Sequence, residues 1–515
     1  MKKITMTSLA LAATLVFSPM AKAETLDMSG GVKDNYQYEE VVFISGEPVL
    51  FKGEGKAISI KETNKSGKAK RDVSLTLTGP SNKDKLTRKI SYESDVVSYD
   101  KIGQKTAEEK ITKYTETAEI KGVKYSLLDY ESSDARFVDV RPASDYYSGK
   151  GITRKVFNRT VGRNAPPERI NVNVETRRAG YENFWGATEA LISDYNYERE
   201  VGGTVEEEWT VTNKVNVTKS SILELQENMA SGVSYDDYYV IERYKEMGSI
   251  YEYELADGTT DEVALDKTYT PTNSALPVAK FNDIQNLDDE AYTATKKMYG
   301  LQVINDYPSN ILGIRSFRPS AYITRVDFTA ALAKLIDLRV DMPDEKAKGK
   351  STSKNAPSYF KDLPASNENY DAILLAVQKG LTTGNGKCDF TQPPIVEKAP
   401  AKNKPGVVNP CSFSPNNALT REHAASFMIR ALGLQNKQAN MQAVELYADD
   451  QTIGASHRNN VYLAKELGLM NGTEDNFIPR KNLTRAQAMR MLDRLLLHLE
   501  DDLKSRYVDE IIFAQ

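Results

Sequence analysis

Phe477-Ile-Pro-Arg-Lys-Asn-Leu-Thr-Arg-Ala-Gln-Ala-Met-Arg-Met-Leu492 is the stretch whose reading decides the C-terminal fold. Phe-x-Pro cannot lie inside a helix, because proline lacks an N–H and its ring crowds the preceding turn. From Thr484 onward the pattern changes. Ala488, Met491, Leu492 and Leu495 recur at helical spacing and share one face. Thr484 sits where an N-cap belongs, and Gln487, three residues on, has capping-box spacing. The stretch therefore predicts an irregular loop that turns into a capped helix.

The same succession occurs twice upstream. Phe317-Arg-Pro precedes Ile323-Thr-Arg-Val-Asp-Phe, and Phe413-Ser-Pro precedes Leu419-Thr-Arg-Glu-His-Ala. After Thr324 the apolar positions Phe328, Ala331, Leu332, Leu335 and Ile336 again fit one helix face. An aromatic residue and an aspartate open each unit: Phe281-Asn-Asp, Tyr359-Phe-Lys-Asp and Tyr447-Ala-Asp. A first helix then ends at Gly300, Gly380 or Gly468, where a left-handed C-terminal residue is expected. Three ordered copies of one supersecondary unit govern the fold of this half.

Each Thr-Arg pair is also a candidate site. A helix start has unsatisfied N–H groups and partial positive charge. An arginine at the next position adds a fork matched to a carboxylate. Thr324 with Arg325, Thr420 with Arg421 and Thr484 with Arg485 are thus three candidate anion pockets. Pairing of the same arginines with an aspartate across repeats is the competing reading, and the residues leave both open.

These repeats resemble the S-layer homology domain, whose signature is a Thr-Arg-Ala-Glu-like motif after a Phe-x-Pro loop. The resemblance covers about Phe281 to Leu496. It implies a pseudo-threefold unit around a helical core. It also implies grooves that bind a secondary cell-wall polysaccharide, often pyruvylated, without covalent chemistry. The last motif position departs from glutamate: it is Asp327, His423 and Gln487 in the three copies.

The second copy carries a Pro- and Lys-rich insertion around Gln392 to Pro405. The chain's two cysteines, Cys388 and Cys411, flank it. In an exported protein that placement predicts a disulfide across the base of the insertion. Their spacing provides no metal site, and no cofactor is expected.

Upstream the texture is that of strands. Val41-Val-Phe-Ile-Ser, Val73-Ser-Leu-Thr-Leu-Thr, Ile170-Asn-Val-Asn-Val-Glu-Thr and Trp209-Thr-Val-Thr-Asn-Lys-Val-Asn-Val-Thr alternate apolar and polar residues between turn formers. A more helical stretch is expected at Ser220 to Met229, and Tyr269 to Pro277 reads as a linker. Tyr235 to Tyr253 reads as tyrosine-rich strand, and Glu206-Glu-Glu and Asp236-Asp as solvated charge. The expected class is α+β: a mainly-β, sandwich-like region followed by an α-helical three-repeat pseudo-trimer.

The expected divisions are a signal peptide at 1–23, a β region at 24–267 of one or two modules, and a linker at 268–280. Repeats follow at 281–345, 357–437 and 444–500, with a tail at 501–515. Lys2-Lys3, an apolar run of about 14 residues and Ala21-Lys-Ala make the signal peptide. The run is shorter than the roughly 20 residues that span a bilayer, and no other stretch is apolar enough. A net charge of -5 without a basic tract argues against nucleic acid. All three histidines lie in the repeats, and the β region has no nucleophile-elbow, zinc-protease or phosphate-loop motif.

The expectation is therefore a secreted cell-surface protein, in or associated with an S-layer and held to wall polysaccharide by its repeats. Its β region would be structural or adhesive, self-association in a surface layer being one such role, and without enzymatic activity. The alternatives are a wall-anchored enzyme acting on glycans and a repeat-bearing outer-membrane protein.

Overall fold

The computed structural model describes residues 30–502, except 66–67, 82, 100–103, 163–167, 227–237, 278–280, 310–313, 337–357, 386–387, 389–410 and 443. The expected signal peptide, Asp236-Asp237, the body of the second-repeat insertion and the tail beyond 502 lie outside the described residues.

One antiparallel sheet forms the N-terminal half. Its strands are β1 (Val32–Lys33), β2 (Gln37–Val42), β3 (Val49–Glu54), β4 (Ile58–Lys65), β5 (Lys68–Thr78), β6 (Lys85–Tyr99), β7 (Gln104–Ile120), β8 (Val123–Val140), β9 (Ser144–Thr160), β10 (Glu168–Asn183), β11 (Gly186–Val201), β12 (Thr204–Gln226), β13 (Tyr238–Glu254), β14 (Thr260–Thr268) and β15 (Thr272–Pro277). From β5 to β14 each strand pairs with its neighbours in sequence, so the sheet is an up-and-down meander. It curls until its ends meet: β1 lies against β13 and β14, and Lys267 Nζ is 3.1 Å from Glu39 Oε1. Right-handed twist accumulated over many long strands produces such coiling. The two packed faces expected of a sandwich are thus the inner walls of one curled sheet.

Alternation decides what faces inward. On β10, Ile170, Val172 and Val174 are buried, while Arg169, Asn171, Asn173 and Glu175 alternate with them toward the outside. A membrane barrel needs an outward apolar band, so these outer faces oppose the outer-membrane alternative. Ser220 to Gln226, expected to be helical, completes β12 against Tyr244 to Tyr238 of β13. Cross-strand pairing overrides local helix propensity there. Within the expected linker, β15 pairs with the same segment of β13. On β13, Tyr239 and Tyr251 are buried, in line with strand tyrosines, whereas Glu206 to Glu208 are exposed at the start of β12.

The sheet's interior also holds charge. Arg88 bridges Glu40 and Glu116 at 2.8 and 2.9 Å. Tyr38 donates to Glu40 at 2.6 Å, and Tyr114 donates to Glu116. Burial opposes ionisation of Glu116, but Arg88, Lys155 and the Tyr114 hydroxyl outweigh it and draw the carboxyl down to about 2. Beside this network lies a cavity of ≈ 30 Å³ lined by Phe43, Lys155, Tyr195 and Tyr197. That is room for a water or two, not for a sugar ring.

Six helices follow among the described residues: α1 (Asp289–Gly300), α2 (Arg325–Ile336), α3 (Tyr370–Gln378), α4 (Arg421–Ala431), α5 (Ala455–Glu466) and α6 (Arg485–Leu497). No helix among the described residues is long and apolar enough to cross a membrane. The second helix of each repeat packs on the first helix of the next: α2 on α3, α4 on α5, and α6 back on α1. Backbone bonds close the same cycle: Ile323 N–H donates to Leu483 O (3.0 Å), Leu483 to Leu419 (2.8 Å) and Leu419 to Ile323 (3.1 Å). These three bonds give the unit its pseudo-threefold axis.

The sheet docks at the C-terminal ends of α2, α4 and α6. Helix ends leave carbonyls without intrahelical partners, and the sheet supplies donors to each. Trp185 Nε1 donates to Leu335 O (3.0 Å), Ala143 N–H to Ala431 O (2.9 Å) and Asn183 Nδ2 to Leu499 O (3.0 Å), just past α6. Trp185, at the β10–β11 turn, is fully buried among the helices. Gly300 does not take the expected left-handed conformation; Gln302 does, at φ 57°. Gly300 instead permits close approach to β13, since a Cβ there would lie 2.7 Å from Tyr239. Gly380 and Gly468 are left-handed as expected, at φ 73° and 68°.

Candidate binding site at the repeat junctions

Each Phe-x-Pro loop is held by the aspartate that opens its repeat. Asp283 accepts from the N–H groups of Phe317 (2.8 Å) and Arg318 (2.7 Å). Asp362 accepts likewise from Phe413 and Ser414 (2.7 and 2.8 Å), and Asp449 from Phe477 and Ile478 (2.8 and 2.7 Å). The middle residue is left-handed in all three, with φ of 58°, 58° and 56° at Arg318, Ser414 and Ile478. Left-handed turns of this kind make successive N–H groups converge on one anion. Burial pushes Asp283 up, but Ser316 and the two N–H groups outweigh it and hold it below the usual carboxylate range. The recurrence of aspartate with Phe-x-Pro is the sequence signal for this contact.

The loops then meet the helix starts of the preceding repeat. Arg325 and Val326 N–H donate to Asn417 O and Pro415 O, at 2.8 and 3.1 Å. Arg421 and Glu422 N–H donate to Lys481 O and Pro479 O, both at 3.1 Å. Arg485 and Ala486 N–H donate to Ala321 O and Pro319 O, at 2.8 and 3.1 Å. The third N–H goes to the capping threonine in two repeats: Asp327 N to Thr324 Oγ1 (3.2 Å) and Gln487 N to Thr484 Oγ1 (3.3 Å). Gln487 also closes the capping box. The expectation that these helix ends offer free N–H groups to an anion is therefore corrected: they are used to join the repeats.

The arginine side chains follow the same cycle. Arg421 Nε donates to Phe477 O (2.7 Å) and its Nη2 to Asn471 O (2.7 Å). Arg485 Nε donates to Phe317 O (2.8 Å) and its Nη2 to Asn305 O (2.6 Å). Each also lies over the phenylalanine ring of the next repeat's loop, at 4.9 and 4.8 Å. Pairing across repeats does occur, but with carbonyls rather than with aspartates. Arg325 differs. It stacks on Phe413 and Phe427 and donates to Thr382 Oγ1 at 3.2 Å, while its Nε is buried without a hydrogen-bond partner. Burial draws all three guanidiniums below their ordinary values, though arginine remains charged.

The Cys388–Cys411 disulfide is formed, with Cα atoms 4.7 Å apart. Beside it, Asn385 and Ser412 exchange backbone bonds at 2.6 and 3.0 Å, and Cys411 O accepts from Lys361 N–H. The base of the insertion is thus pinned, and Phe413 is kept beneath Arg325.

Residues 447–489 match the family model of the S-layer homology domain. The chain carries an S-layer homology domain. The first two repeats share its landmarks and close the ring with it. Such domains bind cell-wall polysaccharide, and they locate the protein to the cell surface or cell wall.

The chain is also similar to the amylopullulanase of Thermoanaerobacterium thermosulfurigenes, 25% identical over 244 residues, 47% of this chain and 11% of the relative. Exoglucanase XynX of Acetivibrio thermocellus is 27% identical over 183 residues, 35% of this chain and 13% of the relative. An endoglucanase of Bacillus sp. (strain KSM-635) is 26% identical over 220 residues, 42% of this chain and 18% of the relative. The chain thus spans less than a fifth of these relatives. All three relatives are enzymes, which corrects the expectation of a protein without enzymatic activity.

Proposed function

We propose that this protein is held non-covalently to a secondary cell-wall polysaccharide through the arginine-centred grooves of its S-layer homology unit. The observation that carries this reading is the direction of α2, α4 and α6. Their C-termini abut the sheet, so Arg325, Arg421 and Arg485 lie at the opposite end, about 18 Å away along helices of about 12 residues. The anchor surface therefore faces away from the body. Arg325 is the arginine of choice for an acidic sugar, because its guanidinium is bonded to the Thr382 hydroxyl, whereas its counterparts are committed to loop carbonyls. The test is co-sedimentation of the full chain with purified cell-wall sacculi. Arg325→Gln should weaken binding at least tenfold, a charge-assisted contact contributing about 1.5–3 kcal/mol. Undiminished sedimentation of a folded Arg325→Gln protein refutes the assignment.

A second reading, a surface enzyme acting on glycans, is supported by the names of the relatives and by one carboxylate pair. Asp145 and Glu182 are directly opposed across β9 and β10, which puts their Cβ atoms roughly 5 Å apart. Burial, reinforced by Glu182, lifts Asp145 to about 6 against the pull of Lys379 and Lys105. Lys219 Nζ lies 3.3 Å from Glu182. One carboxyl retaining its proton near neutrality beside one paired with a cation is the division of labour glycoside hydrolysis needs. Release of reducing sugar from soluble α- or β-glucans, lost in Asp145→Asn and Glu182→Gln, would support this reading. No release by the wild-type chain would exclude it.

A further inference from the structure

The second repeat departs from the other two at one point that the anchoring role does not absorb. Its capping threonine makes no cap: no side-chain bond reaches the backbone at the start of α4. Thr420 Oγ1 instead lies 2.6 Å from Nδ1 of His423. On the facing turn of α5, Nδ1 of His457 lies 2.7 Å from Ser426 Oγ, which also accepts from Asn460 Nδ2 at 3.1 Å. The two imidazole rings are 4.7 Å apart. Glu422, the residue before His423, is buried, and its Oε2 accepts from Gly454 N–H at 2.9 Å. One ligand atom from each of Glu422, His423 and His457 lies within 4.8 Å of the others.

We propose that Glu422, His423 and His457 form a binding site for a divalent cation of the zinc class, joining the second repeat to the third. Two imidazoles and one carboxylate are a ligand set that zinc and its neighbours favour over calcium or magnesium. The hydroxyl contacts are the orienting shell such ligands use. With Thr420 and Ser426 accepting from both Nδ1–H groups, each Nε2 lone pair is left to face a metal. Zinc–ligand bonds of about 2.0–2.1 Å put ligand atoms roughly 3.4 Å apart, so ligand atoms up to 4.8 Å apart must close by up to about 1.4 Å. The His423 side chain is exposed, so the site opens to solvent on that side. Arg430 and Arg325 lie close enough to oppose a cation, which makes the buried Glu422 carboxylate necessary to the site. The bound ion would staple α4 to α5 where the ring has no covalent link.

The test uses the full chain, stripped with a chelator and titrated with CoCl2 and then ZnCl2. One cobalt per chain, with visible d–d absorption displaced by zinc and a higher Tm in the zinc form, is the expected result. His423→Ala and His457→Ala should each weaken zinc binding at least tenfold. His423→Ala removes an exposed side chain and leaves the fold intact by circular dichroism. Absence of binding by the wild type at about 1 mM zinc, or wild-type affinity in a folded His423→Ala protein, overturns the proposal.

Discussion

Trp185 is where the body of this protein grips its anchor, and replacing it tests that reasoning most directly. Its indole is fully buried in the helical core, and its Nε1–H satisfies the carbonyl of Leu335 at the end of α2. Trp185→Ala opens a cavity, and such truncations cost about 3–5 kcal/mol. It also leaves the Leu335 carbonyl without its donor, at a further cost of about 1–3 kcal/mol. For a unit of about 200 residues each kcal/mol lowers Tm by about 2–4 °C, so a fall of roughly 10–30 °C follows. Calorimetry of the full chain should show sheet and helices unfolding together in the wild type. In Trp185→Ala the helical signal at 222 nm should melt first, while Trp209, the other tryptophan, still reports a folded sheet. Trp185→Phe fills most of the cavity and loses the same hydrogen bond, so it should cost about 1–3 kcal/mol. An unchanged Tm in Trp185→Ala, or equal losses in the two variants, refutes the docking argument.

Asp449→Ala removes both hydrogen bonds to the third Phe-x-Pro loop and should destabilise by about 3 kcal/mol; denaturant unfolding checks this against Asp475→Ala, an exposed acid of the same loop, which should be neutral. The denatured, unreduced chain should show no reactive thiol, and Cys388→Ser with Cys411→Ser should cost about 3 kcal/mol, the loop closed being 23 residues. Glu116, drawn from 4.5 to about 2, should contribute on the order of 3 kcal/mol. A depressed carboxyl stabilises above its unfolded value, so this contribution is present above about pH 4.5 and is lost as pH falls toward 2. Glu116→Gln should flatten that stretch of the stability–pH curve, and an unchanged slope would sink the assignment.

Features that depend on residues a few positions apart are legible in the amino-acid sequence by itself. The caps at Thr324 and Thr484, the buried faces of α2 and α6, the alternation of β10 and the left-handed Gly380 and Gly468 rest on local spacing. The disulfide is legible because two cysteines bracket one insertion. The partners of those local features are not. Nothing near Arg485 indicates that its guanidinium reaches Phe317, 168 residues away, or that the helix-start N–H groups are spent on the next repeat's loop rather than left for a ligand. Ring closure decides that, since a third repeat that packs back on the first must bring its donors to the first repeat's carbonyls. The same holds for Ser220 to Gln226, whose helix-like composition yields to the ladder with β13. It holds for Trp185, an ordinary residue between two strands until the turn that carries it meets the open carbonyls of two helix ends. Local periodicity states which face of an element is apolar; which surface covers that face, and which orphaned polar group it satisfies, is settled only when distant elements pack.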